Sequence, residues 1–167
     1  LSMLDSYGGS VPFKSILITG PFMPKHARKK VFKRAKKLKV RTFHFYRNME
    51  KLMAAADAVV TMGGYNTLCE ILSLKTISLI VPREQPRMEQ LIRARILSRN
   101  HLADYLPSSD CTPAAMREKI ISMLEDPVQY REAIADFKMT GIETMCRRLE
   151  SFRTEKIDAC PAVAATG

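Results

Sequence analysis

Two short stretches hold residues whose types and spacing could do chemistry. In the first, Gly63-Gly64-Tyr65-Asn66-Thr67-Leu68-Cys69-Glu70, two glycines join an apolar run to a helix-patterned segment. Glycine lets a ligand approach the backbone closely, and the free N–H groups of a helix start attract an anion. Each exposed contact of this kind contributes a few tenths to about 1 kcal/mol. The same residues also fit a capping box, with Thr67 accepting from the backbone N–H of Glu70 and Glu70 bonding back. One carboxylate rotamer cannot serve both a cap and a ligand, so on this reading Glu70 must turn when a ligand arrives. The second stretch, Val81-Pro82-Arg83-Glu84-Gln85-Pro86-Arg87-Met88-Glu89-Gln90, ends in an adjacent carboxylate and amide. Between them Glu89 and Gln90 offer several lone pairs and two N–H donors, a set suited to vicinal hydroxyls. They are equally readable as solvated residues on a helix whose core face is Leu91, Ala94 and Ile96 or Leu97.

These residues must be positioned by an alternation of short apolar runs and helical patterns. Strands are expected at Ser15–Thr19, Val40–Tyr46, Ala58–Met62 and Thr76–Val81, with a shorter one at Leu102–Asp104. Helices are expected at Lys25–Lys39, Met49–Ala56, Tyr65–Ser73, Arg87–Ser98, Pro113–Glu125 and Val128–Thr140, with a charged helical stretch from Arg147. Strand-helix alternation requires crossover connections, hence an α/β domain: a doubly wound, Rossmann-like, mainly parallel sheet with helices on both faces. Ligands of such sheets bind beyond the carboxyl ends of the strands. The loops at Thr19–Pro24, Phe45–Asn48, Met62–Asn66 and Val81–Pro86 should therefore line one rim. Residues 1–12 read as a leader or linker, 13–153 as the domain, and 154–167 as a disordered tail.

Composition narrows the class. The 167 residues are 46% hydrophobic and 26% charged, ordinary for a globular chain. No apolar run approaches the roughly 20 residues of a membrane-spanning helix, and the start has no secretory signal pattern. Four cysteines without CxxC spacing and three histidines without matching intervals give no metal site, and indicate reduced thiols in the cytoplasm. The net charge of +10 points to an anionic partner. Much of it lies in Lys25–Lys39, opposite Ala27, Val31 and Leu38. That face reads as solvated, as a contact for anionic lipid headgroups, or as a nucleic-acid surface; stacking aromatics are sparse around it.

Together and in this order, the Gly-Gly-Tyr-Asn-Thr-Leu-Cys-Glu and Pro-Arg-x-x-Pro-Arg-x-Glu-Gln-x-x-Arg-Ala segments resemble the C-terminal, donor-binding half of GT-B glycosyltransferases. They are most similar to the UDP-GlcNAc transferase family of peptidoglycan synthesis and its bacterial relatives. The resemblance runs from about Ser15 to Ala94 and more weakly to Phe137. It implies that Gly63, Gly64, Asn66 and Thr67 lie on the loop and helix start that receive the donor diphosphate. It places Glu70 on the ribose hydroxyls, Glu89 and Gln90 on the hexose hydroxyls, and the backbone of Phe45 and Tyr46 beside the uracil edge. Thr19 and Gly20 match a first loop that approaches the phosphates. There this chain reads Gly20-Pro21-Phe22-Met23-Pro24, and proline has no N–H to give a phosphate.

The resemblance implies a hexosyltransferase that moves a hexose, with GlcNAc the first candidate, from UDP to an unknown acceptor, with no metal or resident cofactor. The partners it implies are the UDP-sugar and an N-terminal acceptor-binding domain or partner subunit carrying the general base. On that expectation this chain is inactive alone, and works in the cytoplasm or peripherally at the inner membrane face. A UDP-sugar epimerase-like domain and a basic nucleic-acid-binding module are the alternatives.

Overall fold

Each short apolar run becomes one strand: β1 (Ile16–Ile18), β2 (Arg41–Phe43), β3 (Val59–Thr61), β4 (Ser78–Ile80) and β5 (Asp104–Tyr105). The structure, a computed structural model, describes residues 1–8 and 11–158. Between and after the strands lie α1 (Ser2–Asp5), α2 (Lys25–Lys37), α3 (Met49–Ala54), α4 (Tyr65–Ser73), α5 (Glu89–Arg99), α6 (Pro113–Glu125), α7 (Val128–Asp136) and α8 (Gly141–Asp158). Leu1–Asp136 forms one compact unit, and a second begins at Phe137.

All strand pairs are parallel, as crossover helices demand. β1 pairs with β2 in the register Ile16↔Arg41, and β3-β4-β5 form a separate hydrogen-bonded sheet with Val59↔Ser78 and Leu79↔Asp104. The central strand β4 is buried at every residue, and its period-2 alternation builds both layers. Leu79 enters a cluster with Met3, Leu4, Ala35, Val40, Ile120 and Met123, from α1, α2, α6 and the turn into β2. Its neighbour Ile80 enters another with Leu68, Ala94, Leu97 and Ile134, from α4, α5 and α7. Helices therefore cover both faces. Ile80 is 0% exposed, and truncating such a side chain typically costs about 2–5 kcal/mol.

Three helix ends share one device. Lys39, Lys75 and His101 each adopt positive φ, near 55°. In each case the following amide reaches back five residues: Val40 to Ala35, Thr76 to Ile71 and Leu102 to Leu97, at 3.0–3.1 Å. This double-bonded left-handed stop usually takes glycine. Here the buried pairs that close it hold a lysine or histidine in that conformation.

The strands are shorter than their apolar runs. Thr19 N still donates to Phe43 O at 3.1 Å, but Gly20 at φ 75° turns the chain away. α5 starts at Glu89, two residues later than expected, and α8 starts at Gly141, before Arg147. Within the segment read as a leader, Ser2–Asp5 is helical, with Met3 and Leu4 buried and Asp5 ion-paired to Arg34. Of the tail read as disordered, 154–158 continue α8; 159–167 lie outside the described residues.

Candidate functional site

The loop between β3 and α4 is fixed on three sides. Gly63 adopts φ 79°, a conformation that favours glycine. Its N–H donates to Thr61 Oγ1 at 3.3 Å, and its carbonyl accepts from Arg93 Nη1 at 3.1 Å. A Cβ on Gly63 would lie 2.7 Å from Ile80 Cγ2, so no side chain fits. Gly64 is different: the nearest atom to a Cβ there would be Thr67 Oγ1, at 4.0 Å, leaving its backbone open to an incoming group.

The capping box is not formed. Gly64 is the N-cap of α4, Thr67 lies inside the first turn, and no side chain caps the helix. The expectation failed because the pattern requires Thr67 to precede the helix, whereas the glycine turn starts it three residues earlier. Glu70 is exposed and, free of any capping duty, leaves no partner among the described residues when it turns to a ligand. It stands about 7.5 Å along the axis from Tyr65, at about 1.5 Å per residue.

Across from this loop, Glu89 and Gln90 open α5. Gln90 Oε1 accepts from Arg83 N at 3.0 Å, which turns the amide's NH2 outward as a donor. Glu89 Oε1 accepts from Arg93 Nη2, one helical turn along. The pair is thereby divided into an acceptor, Glu89, and a donor, Gln90. Glu84 holds the rest of the β4 loop by accepting from Ser108 N at 2.7 Å.

Arg93 therefore joins the two stretches. Its guanidinium also lies 5.5 Å from the centroid of the Tyr65 ring, within cation–π range. The expectation from sequence missed Arg93 and Tyr65. The available signal was the Glu89-to-Arg93 spacing, which puts both on one helix face. With two helix starts, Arg93, Arg83 and Arg87 nearby, the electrostatics suit an anion.

The β1–β2 residues form a second group. Thr19 and Gly20 follow β1, and Phe45 and Tyr46 follow β2. Phe45 is exposed, while Tyr46 packs its ring edge on Phe43 at 5.0 Å. Thr19 Oγ1 and His44 Nε2 are buried without hydrogen-bond partners among the described residues. Among the described residues, no hydrogen bond or ion pair ties this group to Gly63, Glu89 or Gln90.

Comparison with known proteins identifies the relatives of this chain. Residues 7–145 match the family model of the glycosyltransferase family 28 C-terminal domain. An 88-residue stretch, 52% of this chain, is 35% identical to the UDP-N-acetylglucosamine–N-acetylmuramyl-(pentapeptide) pyrophosphoryl-undecaprenol N-acetylglucosamine transferase of Streptococcus thermophilus, covering 25% of that protein. The corresponding enzyme of Streptococcus pneumoniae serotype 19F is 37% identical over 49% of this chain and 24% of its own length. The matched stretch thus spans about a quarter of these relatives. Among solved structures, MurG of Acinetobacter baumannii superposes with a TM-score of 0.68 at 16% identity, over 90% of this chain and 44% of that one. The glycosyltransferase of kitacinnamycin gives 0.62 at 16% identity, over 80% and 32%.

Proposed function

Since the chain belongs to glycosyltransferase family 28, whose C-terminal domain it carries in residues 7–145, we propose that it binds UDP-GlcNAc as the donor in a hexosyl transfer. The observation that carries this is the convergence of the open Gly64 loop with the Glu89–Gln90 pair through Arg93. The diphosphate lies at Gly64, Asn66 and Thr67, where uncapped N–H groups of α4 face it. Glu70 accepts from the ribose hydroxyls, a nucleoside's length along the same helix. Glu89 accepts from hexose hydroxyls while Gln90 donates to them. The Phe45 and Tyr46 backbone takes the uracil edge, with Thr19 and Gly20 closing the first loop.

In the transfer itself the acceptor oxygen bonds to the anomeric carbon as that carbon's bond to the diphosphate breaks, and negative charge accumulates on the leaving UDP. Oriented N–H dipoles that need no rearrangement stabilise that charge best. The acceptor hydroxyl loses its proton to a base supplied by an N-terminal domain or partner subunit, so this chain alone binds donor without transferring the sugar. No resident cofactor enters the scheme. Calorimetric titration with UDP-GlcNAc, ADP and a short RNA at two salt concentrations tests the proposal. Selective, salt-tolerant UDP-GlcNAc binding is expected; salt-sensitive RNA binding without UDP-GlcNAc binding would favour the nucleic-acid reading instead.

A second reading concerns the surface on which the protein works. At about 3.6 residues per turn, Lys25, Lys29, Lys30, Lys33, Lys36 and Lys37 occupy one half of α2, all exposed. Among the described residues none of the six forms an ion pair. Phe22, 96% exposed, stands just before them. A lysine face beside an exposed aromatic suits anionic lipid headgroups at a cytoplasmic membrane face. No described helix is long and apolar enough to cross a membrane. Sedimentation with phosphatidylglycerol vesicles, lost in Lys29→Glu/Lys33→Glu, would support this; equal binding to neutral vesicles would refute it.

A further inference from the structure

We infer that Arg93 is a positioning residue that sets the donor diphosphate loop and the hexose carboxylate in one act. The inference rests on the donor-site reading above. One guanidinium reaches Gly63 O through Nη1 at 3.1 Å and Glu89 Oε1 through Nη2, with the Tyr65 ring packed 5.5 Å away. Gly63 O and the N–H of Gly64 belong to the same peptide plane, and in a trans peptide they point in opposite directions. Holding the carbonyl on Arg93 therefore aims the Gly64 N–H away from Arg93. The Thr61 bond and the contact with Ile80 prevent the loop from compensating on its other side.

The second arm of the fork acts on Glu89. A carboxylate that is 63% exposed samples several rotamers unless a partner selects one, and Arg93 selects the one facing the Gly63 loop. Leu91 and Ala94, buried on the same helix, keep α5 seated against the core. Arginine suits this because its planar fork presents two nitrogens in a fixed geometry, one to each acceptor, whereas a lysine offers one nitrogen on a shorter, flexible stem that fixes no such pair.

The test uses the whole 167-residue chain, as wild type, Arg93→Lys and Arg93→Ala, with dissociation constants measured for uridine, UDP and UDP-GlcNAc. Uridine meets neither arm, so its affinity should stay within about twofold. UDP should weaken by about tenfold through the loop, and UDP-GlcNAc by a further several-fold, to about 100-fold in Arg93→Ala. Arg93→Lys should recover one of the two losses and leave the other. An equal loss for all three ligands would mean that Arg93 merely supports the fold, and an unchanged UDP-GlcNAc affinity would mean that it positions nothing; either overturns the inference while leaving the donor site in place. Should Arg93→Ala fail to fold, Arg93→Lys carries the same ligand comparison. Absence of all binding by the wild-type chain would remove the donor-site reading, and this inference with it.

Discussion

Two glycines, Gly63 after β3 and Gly20 after β1, share almost the same backbone, φ 79° and 75°, yet stand in opposite surroundings. A Cβ on Gly63 would strike Ile80, whereas one on Gly20 would meet nothing within 4 Å. The loop after β3 is held by Thr61, Ile80 and Arg93 together. The loop after β1 carries a fully exposed Phe22 and, at its base, a buried Thr19 hydroxyl with no partner. One rim is built before any ligand arrives; the other offers backbone and open space. Preorganisation, which lowers the ordering cost of binding, is thus concentrated on the β3–β5 side, where the proposed site receives the diphosphate.

The largest effect should separate the two glycines. Gly63→Ala is expected to cost about 2–4 kcal/mol, from overpacking and left-handed strain, while Gly20→Ala costs about 1 kcal/mol from strain alone. Urea midpoints of the two variants check this, and equal losses would erase the contrast. Next, Glu70→Gln should weaken UDP binding about tenfold with the melting temperature unchanged, because Glu70 caps nothing. A lowered melting temperature with unchanged affinity would return Glu70 to a structural role.

A finer comparison uses the two threonines. Thr61→Val removes the acceptor for Gly63 N–H and should cost about 1 kcal/mol, whereas Thr19→Val removes a buried hydroxyl without a partner and should be neutral or stabilising. Denaturant titration distinguishes them. The smallest expected effect lies on the β5 edge. Burial, and secondarily the carboxylate of Asp104, push the Tyr130 phenol up to about 12. The folded state keeps a proton that the unfolded chain releases near pH 10, so the contribution of this group to stability is constant below pH 10 and is lost as pH rises toward 12. The fall should be shallower in Tyr130→Phe.

Much of this was legible in the residues. The bounds of α4 and α6 follow from glycine punctuation and from Thr112-Pro113, where Thr112 Oγ1 accepts from Ala115 N. The parallel order follows from strand-helix alternation. α1 was not legible because four residues give no periodicity, and its burial depends on partners distant in sequence. The left-handed stops at Lys39, Lys75 and His101 lacked the usual glycine, so buried pairs of residues five apart set them instead. Thr67 and Glu70 matched a capping pattern that only the glycine turn could cancel. The spacing that pairs Arg93 with Glu89 stood in the sequence unread, and its bond to Gly63, 30 positions earlier, exists only in three dimensions.

The central claim is that two separated stretches form one donor site. Amide-resolved titration of the chain with UDP-GlcNAc tests it most directly. Gly64, Thr67 and Glu70 are expected to shift with the same midpoint as Glu89 and Gln90. Different midpoints, or shifts confined to one stretch, would contradict it.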